Sequence, residues 1–156
     1  MKWEEFLLFL APGVPEVVGV IALSLALGAV PLRWGRIIPA GFMLAIISYV
    51  IRNLPGVPLF THLIVELLVL VLIISKSTKV PLSKSFIIVF SSTALLAILE
   101  PVIVEIFIWG SGMSIEALSS NNLLWLFSGL LQAFLMILAA IITTKYIKPD
   151  REAWKL

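Results

Sequence analysis

The sequence predicts an all-α integral membrane protein, a bundle of five transmembrane helices with the N-terminus outside and the C-terminus in the cytoplasm. Three observations carry that expectation. Hydrophobic residues make up 61% of the 156-residue chain and charged residues only 13%. The mean hydropathy is +1.14, far above that of a domain whose core must be wrapped in polar surface. Basic residues also gather on one side of the apolar runs, as they do in membrane proteins.

The first 36 residues divide at Ala11-Pro12-Gly13-Val14-Pro15, where two prolines within four residues should interrupt a continuous helix. Residues 3–11 then read as a short interfacial segment, and Pro15 opens a span of about 15–31, in a first turn where its missing N–H does no harm. Ala22 with Ala26, and Ser24 with Gly28, form small-residue pairs four apart that let another helix approach and would allow a homo-oligomer. The second span, about 37–52, lies between Arg36 and Arg52. Its length is short for a hydrocarbon core of roughly 30 Å, so its arginines are expected to snorkel. The third, fourth and fifth spans cover about 57–75, 85–109 and 123–147. Between the last two, residues 110–122 leave room for a turn of helix beginning near Ser114.

Orientation follows from counting. With five spans, Arg33, Arg36, Lys76, Lys79, Lys84, Lys145, Lys148, Arg151 and Lys155 share one side, and only Lys2 and Arg52 lie on the other. That bias places the C-terminus in the cytoplasm of what reads as a bacterial cell membrane, and a four- or six-span reading would destroy it. Residues 1–156 form a single transmembrane domain, without a soluble linker. There is no basic stripe for nucleic acid, and the absence of cysteine removes disulfides and thiolate metal sites. The first apolar stretch, with Glu16 and two prolines behind a lone Lys2, does not read as a cleaved signal peptide.

Polar residues within the spans are the candidates for function. Glu16, Glu66, Glu100 and Glu105 are four of the nine acidic residues, and His62 and Gln132 join them. A charge near the centre of a span costs about 2.5–3.5 kcal/mol, so such residues need partners or a purpose. At 1.5 Å per residue, His62 is about 8 Å and Glu66 about 14 Å below the outer surface, Glu105 about 6 Å and Glu100 about 14 Å. Gln132 lies at a depth similar to Glu66, and Glu16 starts its span on the same side. His62 and Glu66 are four apart and face one way, whereas Glu100 and Glu105 diverge by about 140°. Glu100 is preferred because Pro101 cannot bond the carbonyl of Ala97, leaving an acceptor and a kink beside it. These groups predict an outward-facing polar pocket for a small ligand, peptide, proton or cation. They could also be interhelical glue, at about 0.6 kcal/mol a pair.

Enzymatic readings fail on their motifs. His62-x-x-x-Glu66 has no second histidine and no HExxH, the serines lack a histidine at matching depth, and no glycine loop cradles phosphate. No catalytic residue, metal site or cofactor is expected. Glu16 in the first span resembles the single membrane carboxylate of small multidrug-resistance transporters, which exchange protons for cationic drugs but have four spans.

Arg52-Asn53-Leu54-Pro55, then His62, a lysine-rich turn and Glu100-Pro101 resemble the membrane-embedded sensor region of GHKL-type (agr-like) bacterial histidine kinases over roughly residues 10–147. In that family the sensor region recognises an external signal, often a peptide, and passes a conformational change to cytoplasmic dimerisation and ATP-binding parts. The resemblance implies a sensor-like module in which Arg52, His62 and Glu100 match the family pattern. No phosphoacceptor histidine or nucleotide-binding box follows the last span, so a kinase activity is not expected. The function expected is therefore signal sensing or ligand binding, passed to a cytoplasmic signalling protein, with the basic tail KYIKPDREAWKL meeting the inner leaflet or that partner. The alternatives are a small proton- or cation-coupled transporter and a structural subunit of a membrane complex.

Overall fold

Hydrophobic runs punctuated by short polar turns fold into helices throughout, as a computed structural model describing residues 3–58, 61–112 and 114–155 shows. Six helices occur among the described residues: α1 (Trp3–Leu27), α2 (Trp34–Arg52), α3 (Thr61–Ser77), α4 (Leu82–Ser111), α5 (Ile115–Ser120) and α6 (Asn122–Tyr146). Lys2, residues 59–60 of the expected third span, and Leu156 lie outside them.

The division expected at Ala11–Pro15 is absent, because α1 runs unbroken through Pro12 and Pro15. Each proline withholds one backbone donor and crowds the preceding turn, a cost that packed neighbouring helices offset. Pro12 is buried against α6 at Gly129, where an added Cβ would sit only 2.6 Å from the Pro12 Cβ. A proline ring and a residue without a side chain therefore share one space. Glu4 and Glu5 in the first turn complement the helix dipole.

From Val17 to Ala26 every residue of α1 is buried, which makes α1 the central helix. It packs most extensively on α6 and then on α2 and α4, while α3 sits between α2 and α4. Gly19 meets Met136 of α6, and Gly41 of α2 meets Val18. Ala22, Ser24 and Ala26 are wholly enclosed, and a Cβ on Gly28 would lie 3.1 Å from the Ile88 Cδ1. The small-residue face thus serves packing within the chain.

Helix α1 ends earlier than Pro31, by a left-handed turn at Ala29 (φ 57°) closed by the Val30 amide on the Leu25 carbonyl at 2.9 Å. The third helix starts at Thr61, later than Val57, after the turn containing Gly56 (φ 79°) and Pro58. Val57 precedes a proline and is steered away from helical backbone. Helix α4 passes through Pro101 and closes at Gly112 (φ 68°). The turn of helix near Ser114 is present as α5, with the Ser114 Oγ accepting from the Ala117 amide at 3.3 Å. The exposed Glu116 accepts from its own backbone N–H and from Ser114, which holds its carboxyl below the usual carboxylate range.

The α1–α2 and α3–α4 connections meet the C-terminal tail at one end of the bundle, the tail end. The N-terminus and the α2–α3 and α4–α6 connections occupy the other. At the tail end the Asp150 amide donates to the Ala29 carbonyl (2.8 Å), the Lys79 amide to Ala153 (2.7 Å) and the Lys155 amide to Ser77 (2.9 Å). An antiparallel bridge joins Thr78 and Trp154. The Trp154 Nε1 donates to the Pro31 carbonyl at 2.9 Å, and the guanidinium carbons of Arg33 and Arg36 lie 5.6 and 5.1 Å from its ring centre. The tail folds back across the α1–α2 and α3–α4 connections.

Helices α1, α2, α4 and α6 are long and apolar enough to cross a membrane. The outer faces of the bundle carry Phe42, Met43, Phe86, Phe90 and Phe134, an apolar exterior suited to lipid. The chain is a multi-pass membrane protein. Helix α3, with 17 residues, spans about 25 Å.

Candidate functional site

A cavity of about 370 Å³ opens at the end of the bundle opposite the tail, and α1, α2, α3, α4 and α6 all line it. Each helix presents a pair of residues four apart, which share a helix face. These pairs are Pro12 and Glu16, Ser48 and Arg52, His62 and Glu66, Leu96 and Glu100, and Ser128 and Gln132. All six candidates, Glu16, Arg52, His62, Glu66, Glu100 and Gln132, therefore border one space. Glu105 is exposed and does not line it, as its angular divergence from Glu100 requires.

Hydrogen bonds fix several of these groups. The Ser48 Oγ donates to the Glu66 Oε2, tying α2 to α3 across the cavity wall. Gln132, 5% exposed, donates from Nε2 to the Leu96 carbonyl at 3.1 Å. That acceptor is one residue before Ala97, whose carbonyl Pro101 cannot serve, so Gln132 reaches α4 where its backbone is disturbed. The Ser128 Oγ donates to its own helix at Trp125 (2.8 Å). Glu16 lies against the bare backbone of α6, where an added Cβ on Gly129 would be 2.8 Å from its Oε1.

The rim is aromatic and basic. The Arg52 guanidinium carbon sits 5.7 Å from the ring centre of Phe9. Phe9 and Phe6 in turn pack on Tyr49, with ring centres 5.3 and 5.0 Å away. This cluster joins the start of α1 to the end of α2. Leu8, Leu63, Ile103 and Trp125 supply apolar wall.

His62 falls in the first turn of α3, about 1.5 Å along the helix from its start, and Glu66 about 7.5 Å along. Both are nearer the mouth than a span beginning at Val57 would place them. From the sequence, Ser48 is not placed in the pocket and Ser128 is weighed only as a nucleophile, although each stands four residues before a candidate, Arg52 and Gln132, and that spacing could have found them. Nothing in the sequence marks Gly129 as the seat of Glu16, because that contact crosses from α6 to α1.

Three carboxyl groups on three helices border one cavity together with the Arg52 guanidinium and the His62 imidazole. Among the described residues no group of three or more histidine and carboxylate side chains converges on a point that a metal ion could occupy. The carboxyls are instead spread over three helices around a partly apolar wall. Phe9 and Trp125 also line the cavity. No family model matches the chain, and neither does any curated protein or solved structure.

Proposed function

We propose that this protein is a five-span ligand-binding module of the cell membrane that takes an organic cation or cationic peptide side chain from outside and passes its occupancy to a cytoplasmic partner. The carrying observation is the convergence of Glu16, Glu66 and Glu100, from three helices, on one cavity of about 370 Å³. A cation there would replace unfavourable carboxyl burial with ion pairs in a low dielectric. In this reading the cavity faces outward and the tail lies in the cytoplasm, because the tail end gathers the basic residues of the connections. The likeness of Arg52, His62 and Glu100 to the sensor regions of histidine kinases supports the same role.

Purified protein in uncharged detergent should gain melting temperature when tetraphenylphosphonium, spermidine or a short basic peptide is added, since a ligand bound only by the folded state stabilises it. Glu100→Gln should weaken that gain at least severalfold. No stabilisation by any cation in the wild type overturns the proposal.

A second reading rests on Glu16, which stands on the central helix and could carry a proton between the two ends. Transport demands flux, so uptake of the stabilising cation into proteoliposomes, abolished by Glu16→Gln, would replace the sensor reading.

A further inference from the structure

A second cavity, of about 360 Å³, lies at the tail end between α1, α2 and α3, and shares no lining residue with the first. Its walls are apolar: Ile21 and Leu25 from α1, Ile37 and Ala40 from α2, and Ile73 and Ile74 from α3. Arg36 borders it with Ser77, Thr78 and Trp154. The deep residues Leu25, Ile37 and Ile74 are almost wholly buried, whereas Ala40, Ile73 and Ser77 are partly exposed and Arg36 is exposed. The mouth therefore lies between α2 and α3, on the side of the bundle, with a guanidinium at its edge.

The floor of this cavity suits hydrocarbon and its edge suits an anion. Arg36 stacks on the ring of Trp154 at 5.1 Å. A guanidinium, with its N–H donors in a planar fork, is the side chain best matched to a phosphate group. Arg33, Lys76 and Lys79 sit in the neighbouring connections and strengthen the positive field there.

We propose that this cavity is a binding site for an anionic phospholipid, with one acyl chain lodged between α1, α2 and α3 and the phosphate held at Arg36. The carrying juxtaposition is an apolar cavity open sideways toward lipid with an arginine at its mouth, on the end of the bundle richest in basic residues. The site is independent of the cation-binding cavity, and its occupancy requires no ligand there.

The test uses the full chain in uncharged detergent, with phosphatidylglycerol, phosphatidylcholine or inorganic phosphate added. Melting temperature and lipid retained in native mass spectrometry are read. Phosphatidylglycerol should be retained about fivefold better than phosphatidylcholine, the preference that one arginine near a membrane surface supplies, and only it should raise the melting temperature. Arg36→Gln should erase that preference, and Ala40→Trp, which fills the mouth from a partly exposed position, should abolish retention. Equal retention of the two lipids by the wild type, an unchanged preference in Arg36→Gln, or equal stabilisation by inorganic phosphate alone overturns the proposal. If Ala40→Trp does not fold, Arg36→Gln decides alone through the ratio of the two lipids retained, a readout that loosening the stack on Trp154 does not by itself change.

Discussion

Gly129 shows how one missing side chain can hold both packing and chemistry. Its backbone seats the Pro12 ring and the Glu16 carboxyl together, and a methyl there would meet both at 2.6 and 2.8 Å. Gly129→Ala is expected to cost about 1–3 kcal/mol by overpacking and to weaken cation binding by moving Glu16; thermal melts and a ligand titration would check the two effects separately. Ala29 presents the opposite case, since it holds the left-handed position that ends α1 (φ 57°) despite its Cβ. That conformation costs a non-glycine residue about 1–2 kcal/mol, so Ala29→Gly should stabilise by about 1 kcal/mol after the greater freedom of glycine in the unfolded chain is subtracted. An unchanged or lower melting temperature would contradict this. At this scale the sequence was readable where spacing on one helix decides the outcome: Glu100 reaches the cavity and Glu105 does not. It was not readable where the deciding neighbour is on another helix, as with Ser48 for Glu66 or Gly129 for Glu16.

Proline spacing misleads for α1 because the rule describes an isolated helix, and this one is enclosed by three others. What Pro12 disturbs locally, Gly129 of α6 accommodates. The apolar runs that became α2, α4 and α6 were legible because composition alone separates them from their turns. The return of the tail was not, since it depends on Ala153 and Trp154 meeting Lys79, Thr78 and Pro31, residues more than seventy positions away. Trp154 holds this clasp with one hydrogen bond and two stacked guanidinium groups, worth together about 2–3 kcal/mol. Trp154→Ala should therefore lower the melting temperature and open Arg151 to trypsin, while the Lys79–Glu152 pair (3.6 Å, both exposed) should matter little. Undiminished protection of the tail in Trp154→Ala would mean that the backbone bonds of Lys79 and Lys155 suffice to hold it.

For the whole molecule the number of crossings turns on α3. Its 17 residues cover about 25 Å, less than a hydrocarbon core of about 30 Å, a mismatch that bilayer thinning and flanking polar groups can absorb. If α3 crosses, the charge bias is satisfied: Arg33, Arg36, Lys76, Lys79 and Lys84 share one face of the membrane with the tail. If it does not, Arg52 and Lys84 fall on the same side, and the sorting by charge dissolves. The absence of cysteine from the chain allows a direct test, because any introduced thiol is the only one. Asn53→Cys, in the α2–α3 turn, and Ser83→Cys, in the exposed first turn of α4, flank α3 on either side. A membrane-impermeant maleimide applied to intact cells should label Asn53→Cys at once and Ser83→Cys only after permeabilisation. Labelling of both from one side would mean four crossings, and would also remove the basis for an outward-facing cavity, because His62 and Glu66 enter it on α3. Labelling in the reverse order would keep five crossings and turn the cavity toward the cytoplasm, so that its cation would have to come from inside the cell.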